Sequence, residues 1–162
     1  MTKEELINKK ISAISLGCDK NRVDLEKMLF SLKKYGFEIV AEPSDAEIVI
    51  VNTCAFIEPA KKEALSNIFD SLKLKFLSKV EKVIVTGCLS ERYFNDLKKD
   101  IPEVDAYLRL KDNEKICNII EELYDVNFSK FKKQNGRVLT SSSPYPWNCA
   151  IRTNIIATIS YF

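Results

Sequence analysis

The sequence has 162 residues, 46% of them apolar and 30% charged, with a formal net charge of +2; a chain of this size buries a core without disulfide help, and its four glycines and five prolines exclude collagen-like and low-complexity classes. It has no histidine, which excludes Ser-His-Asp and Cys-His catalysis and every Cys/His zinc pattern. No apolar run approaches the roughly 20 residues of a membrane span, and the opening MTKEELINKK is charged throughout with no apolar signal segment, so the expectation is a soluble, cytoplasmic chain.

In chain order, Ile11–Leu16 predicts a short strand ending at Gly17, and residues 22–34 predict a helix with Leu25, Met28, Leu29 and Leu32 at helical spacing. A second strand is expected over Phe37–Ala41. Glu47–Asn52 (EIVIVN) forms a third, a β-branched run of the kind buried on both faces of a parallel sheet. A long helix follows from about Phe56 into the 70s, with Ile57, Ala60, Ala64, Ile68 and Leu72 along one face and Pro59 in its first turn, where proline is tolerated. Val80–Thr86 is the fourth strand, and a helix starts near Ser90. Val104–Leu108 predicts a short fifth strand, and residues 112–124 close the unit as a helix with Ile116, Ile119, Ile120, Leu123 and Tyr124 on one face. Strands alternating with helices predict an α/β fold, an open, doubly wound parallel sheet of about five strands with helices on both faces.

The last acidic residue is Asp125. Beyond it lie Lys130, Lys132, Lys133, Arg137 and Arg152, so 126–162 carries +5, whereas residues 1–125, with 20 basic and 23 acidic side chains, carry −3. The expected organisation is a domain over 1–125, a basic linker over 126–143 rich in Ser, Asn and Gly, and a tail over 144–162. A linker of this composition reads as a solvated tether, and nothing interleaves Trp147 with basic residues, so no nucleic-acid contact is expected of this segment.

A nucleotide site would need clustered glycines in a strand-to-helix turn, but Gly17, Gly36, Gly87 and Gly136 each stand alone. Cysteine stands at those turns instead. Three strands end in Gly17-Cys18, Thr53-Cys54 and Gly87-Cys88, with the cysteines 36 and 34 residues apart. All strand C-termini of an open parallel sheet lie on one edge, where ligands bind. Three separated cysteines can therefore converge without a local motif. Each also lies close to the start of an expected helix. By spacing alone, the three are either core residues or a shared soft-metal site; if a site, three thiolates without histidine suit an iron–sulfur cluster better than zinc, which wants a fourth protein ligand. Cys117, beside Ile116, is expected to pack against the sheet, and Cys149 is a bystander. Asn52 ends a buried strand and is suited either to a hydrogen bond near the cysteines or to capping a turn.

The stretches Ser15-Leu-Gly-Cys-Asp-Lys-Asn-Arg-Val-Asp24, Val49-Ile-Val-Asn-Thr-Cys-Ala-Phe-Ile57 and Val85-Thr-Gly-Cys-Leu-Ser-Glu-Arg92 together resemble the N-terminal domain of radical-SAM methylthiotransferases. The resemblance covers about residues 10–141, and the first string is similar to the RimO-type branch, which methylthiolates an aspartate of a small-subunit ribosomal protein. The tRNA-modifying, MiaB-type branch is the alternative, and a non-enzymatic domain with structural or zinc-binding cysteines is a third.

The resemblance implies that Cys18, Cys54 and Cys88 hold an auxiliary 4Fe-4S cluster through three thiolates, with a sulfur donor as a further partner. It also implies a second 4Fe-4S cluster on a C-x-x-x-C-x-x-C motif, using S-adenosylmethionine, elsewhere in the full-length enzyme. These 162 residues contain no such motif, and Cys149 has no cysteine three or four positions away. The expectation is a tail that replaces the start of a radical-SAM domain by truncation or frameshift, with no catalytic residue in the fragment and no activity alone.

Overall fold

The computed structural model describes residues 3–125; the linker, the tail and Cys149 lie outside the described residues. The strands are β1 (Lys10–Ser15), β2 (Glu38–Ile39), β3 (Ile48–Thr53), β4 (Lys82–Gly87) and β5 (Ala106–Tyr107). The helices are α1 (Lys3–Ile7), α2 (Asp19–Tyr35), α3 (Glu58–Leu77), α4 (Cys88–Arg92), α5 (Phe94–Asp100) and α6 (Ile116–Leu123). The sheet is parallel throughout, in the order β2-β1-β3-β4-β5. The doubly wound α/β architecture expected from the alternation is the one observed.

β3 shows why the run IVIVNT becomes a central strand. All six residues are buried, and alternate ones serve opposite cores. Ile48 and Ile50 pack with Leu6, Leu25, Leu29 and Ile120 beneath α1, α2 and α6. Val49 and Val51 pack with Ala64, Ile68 and Leu89 beneath α3 and α4. Only a strand covered on both faces lets every position be apolar. Each fully buried isoleucine stabilises the fold by about 1.5–3 kcal/mol relative to exposure.

Several boundaries differ from the sequence reading. α2 begins three residues earlier than expected, at Asp19, with Cys18 in the extended N-cap position. β2 and β5 shrink to two residues each, as edge strands with a partner on one side only. The helix expected from Ser90 is two helices broken at Tyr93, whose φ of −117° leaves the helical region. Residues Leu110–Lys115 form a 3-10 turn before α6. α1 was not foreseen; its charged sequence offers no periodicity, yet Leu6 is fully buried and anchors it. Pro59 sits in the first turn of α3, as its chemistry requires. Among the described residues, no helix is long and apolar enough to cross a membrane.

Candidate metal centre

The strand order reverses at the centre of this sheet. From β1 the chain crosses to β2 on one side, and from β3 to β4 on the other, so a crevice opens at the C-terminal ends of β1 and β3. Cys18 follows β1 and Cys54 follows β3, one on each side of that switch; Cys88 follows β4, the next strand along. The register makes the ends flush, with Ser15 opposite Asn52 and Thr53 opposite Gly87. The three cysteines all line one open cavity of about 460 Å3. Topology alone has brought together thiols 70 positions apart in the sequence.

Local backbone geometry sets how each thiol is presented. Cys18 caps α2 through its backbone, its carbonyl accepting from the Arg22 N–H at 3.0 Å, and its side chain takes no part in capping. Gly87 has φ of +100°, and a Cβ there would meet the Thr53 carbonyl oxygen and lie 2.7 Å from Asn52 Oδ1. Only glycine permits this conformation and this approach, and together they place Cys88 beside the end of β3. Gly17 lies at a bend, as expected, and it also supplies space. Its φ is ordinary, but a Cβ would stand 2.7 Å from Asn21 Cβ, so glycine here makes room for a neighbour.

That neighbour is Asn21, buried in the first turn of α2. Its Nδ2 donates to the Thr53 carbonyl at 3.1 Å, and its own carbonyl accepts from Asn52 Nδ2 at 2.7 Å. The Cys88 thiol donates to its Oδ1 at 3.4 Å. Asn52 thus takes the first of its two expected roles, bonding beside the cysteines. Thr53 Oγ1 donates to the Thr86 carbonyl at 2.6 Å, closing the β3–β4 end below Cys54 and Cys88. On the cavity wall, Arg92 donates to the Ala55 carbonyl at 3.1 Å and Glu91 accepts from the Leu110 N–H at 2.8 Å. Phe56, also on the wall, is 84% exposed, an unusual cost for phenylalanine that leaves an apolar rim beside Cys54.

The sequence reading passed over Asn21. The signal was present: Asn21 stands four residues before Leu25 on the stripe Leu25-Met28-Leu29-Leu32, an amide where the helix face is otherwise apolar. A polar residue on a buried stripe is there for a partner.

The four described cysteines divide sharply. Cys18 is exposed, Cys54 and Cys88 are half-buried, and all are free thiols. Cys117 is buried in the core with Met28 and Leu29, where burial, aided by Glu121, pushes its thiol up to about 11. It packs against the sheet as expected.

Among the described residues, no three Cys, Asp or Glu side chains form a group able to hold a single metal ion. A four-iron cluster makes a different demand, because each thiolate binds a different iron and the sulfurs stand correspondingly further apart. Among the described residues, three free thiols line one solvent-open cavity and no fourth cysteine lines it, a donor set that such a cluster, with one iron lacking a protein thiolate, would accept.

The fold and this edge define an α/β domain that presents three cysteines at a topological switch point. Residues 10–109 match the uncharacterized protein family UPF0004, and the chain belongs to that family. The recognition of a radical-SAM methylthiotransferase domain from the three cysteine strings holds. The chain is 42% identical over 137 residues to the ribosomal protein uS12 methylthiotransferase RimO of Caldicellulosiruptor saccharolyticus, covering 83% of this chain and 31% of that protein. It is 46% identical over 121 residues to the protein of the same name from Bdellovibrio bacteriovorus, covering 75% and 26%. For that of a Thermoanaerobacter species the figures are 47% over 115 residues, 71% and 26%. The chain spans about a third or less of the length of these relatives.

Proposed function

We propose that residues 1–125 are the auxiliary-cluster domain of a RimO-like methylthiotransferase, with Cys18, Cys54 and Cys88 as the three ligands of a 4Fe-4S cluster. The observation that carries the reading is the meeting of these three thiols on one cavity at the switch point. When bound, such a cluster supplies an iron open to a sulfur-bearing ligand. The chain's own residues hold the thiolates apart on three rigid strand ends, keep Cys117 out of reach in the core, and shape the cavity with Phe56 and Arg92. In the full-length enzyme the substrate is an aspartate of a ribosomal protein, the choice supported by the names of the relatives over a tRNA substrate. S-adenosylmethionine and a second 4Fe-4S cluster belong to that longer protein, in the cytoplasm. These 162 residues, which contain no C-x-x-x-C-x-x-C, do not catalyse the reaction alone.

Anaerobic reconstitution with iron and sulfide tests the reading. The expected result is about four irons per chain with the absorption of a cubane cluster, lost on changing Cys18, Cys54 or Cys88 to Ala and kept on changing Cys117 or Cys149. A wild-type chain that takes up no cluster overturns it.

A further inference from the structure

Asn21 touches the ends of all three cysteine-bearing strands. Its amide nitrogen holds the Thr53 carbonyl, adjacent to Cys54, its amide oxygen meets the Cys88 sulfur, and its Cβ lies over Gly17, adjacent to Cys18. The Asn52 amide grips its main chain from the other side. We propose that Asn21 is a positioning residue for the cluster, setting the mutual placement of Cys18, Cys54 and Cys88; the proposal rests on the three-cysteine reading above.

The side-chain chemistry is specific to asparagine. In the metal-free chain one end of the group donates to Thr53 and the other accepts from the Cys88 thiol, within a side chain of two carbons beyond the backbone. A ligating Cys88 thiolate has no proton to give, so with a cluster bound the hold on Thr53 and the packing against Gly17 are what set the strand ends. Aspartate has no donor and would set a negative charge against a ligand sulfur. Leucine matches the size but bonds neither partner. Glutamine is a methylene too long for a site where the Gly17 backbone already lies against Asn21 Cβ. On the α2 stripe Asn21 lies one turn from Leu25 and two turns from Met28, an amide where the neighbouring positions are apolar. Polar groups that orient metal ligands, or lie against cluster sulfurs, set both affinity and potential.

The test uses the whole chain, reconstituted anaerobically, as wild type and as Asn21→Asp, Asn21→Leu and Gly17→Ala. The last variant leaves every polar group in place and presses on Asn21 from outside. Circular dichroism of the iron-free chains reports the fold; iron retained against a chelator, the electron paramagnetic resonance of the reduced cluster and its midpoint potential report the site. Folded variants are expected to hold the cluster about 10- to 100-fold more weakly than wild type, with an altered resonance. Cluster retained by Asn21→Asp is expected at a lower potential, since an added anion opposes the incoming electron. Folded variants with wild-type retention, resonance and potential overturn the proposal, as does loss of fold in all three, which would make Asn21 structural only. A wild-type chain without a cluster overturns the function instead, so the two failures are distinguishable.

Discussion

The two edges of the sheet treat their polar and ionisable groups in opposite ways. At the N-terminal edge, polar groups satisfy one another. Lys9 bridges both oxygens of Glu81 at 2.8 and 2.7 Å, Tyr124 donates to the same carboxylate at 2.8 Å, and Lys9 lies 5.1 Å from the Tyr124 ring centroid. Beside them, Asp105 accepts from the Val83 N–H at 2.8 Å and pairs with Lys75 at 2.6 Å and Lys82 at 3.3 Å. Burial opposes ionisation of Glu81, but the bonds from Lys9 and Tyr124 prevail and hold its carboxyl below the usual range. At the C-terminal edge, three thiols face a cavity with a single weak bond among them, from Cys88 to Asn21. Thiols with one weak bond among them, opposite an edge whose charged groups satisfy one another, are what the proposed ligand site rests on.

Four measurements would break or sharpen this contrast. The largest effect is expected from Gly87→Val, which combines a positive φ with a clash against the Thr53 backbone; urea unfolding should show a loss of about 3 kcal/mol or more, and iron uptake should fail with it. Next comes Asp105→Ala at the opposite edge. It orphans the Val83 N–H and two lysines on a mostly buried carboxylate, for a loss of about 2 kcal/mol, yet the iron held per chain should stay at the wild-type value. Equal damage to iron binding by Asp105→Ala would erase the distinction between the edges.

Alkaline pH tests the buried hydroxyl and thiol groups. Burial raises Cys117 to about 11 and Tyr107 to about 12, and burial together with its bond to Glu81 raises Tyr124 further. The native state therefore keeps protons that the unfolded chain releases, so this stabilisation is complete below about pH 9 and is lost as pH rises toward 12. The urea midpoint of the iron-free chain should be level up to about pH 9 and then fall; a midpoint that rises in that window contradicts the sign. The smallest effect concerns Cys18→Ala. Its exposed thiol makes no cap, so the iron-free stability should stay within about 0.5 kcal/mol of wild type, although the cluster is lost. A large loss would show that Cys18 supports the fold itself.

The legibility of this molecule followed its periodicity. The runs ISAISL and EIVIVN and the stripe Leu25-Met28-Leu29-Leu32 carry their structure in local pattern, and they became β1, β3 and the buried face of α2. Cys18, Cys54 and Cys88 were legible as candidates because each ends such a run. What escaped depends on contacts across the chain. α1 is anchored by Leu6, which packs in the core cluster with distant Leu25, Leu29 and Ile120, and the break at Tyr93 has no glycine or proline to announce it. Gly17 was legible as a bend residue, but that it also makes room for Asn21 shows only in the packed structure.

Sequence by itself determined the alternation of strands and helices, the exclusion of histidine chemistry and the three cysteine strings that place the chain in its family, because those are properties of neighbours along the backbone. Only the tertiary structure decided which edge is open, that β1 and β3 flank the switch point, and that one asparagine joins three strand ends. The physical reason is range: propensity and periodicity act over a few residues, whereas positions 18, 21, 54 and 88 come together only once parallel pairing has brought the strand ends to the same height.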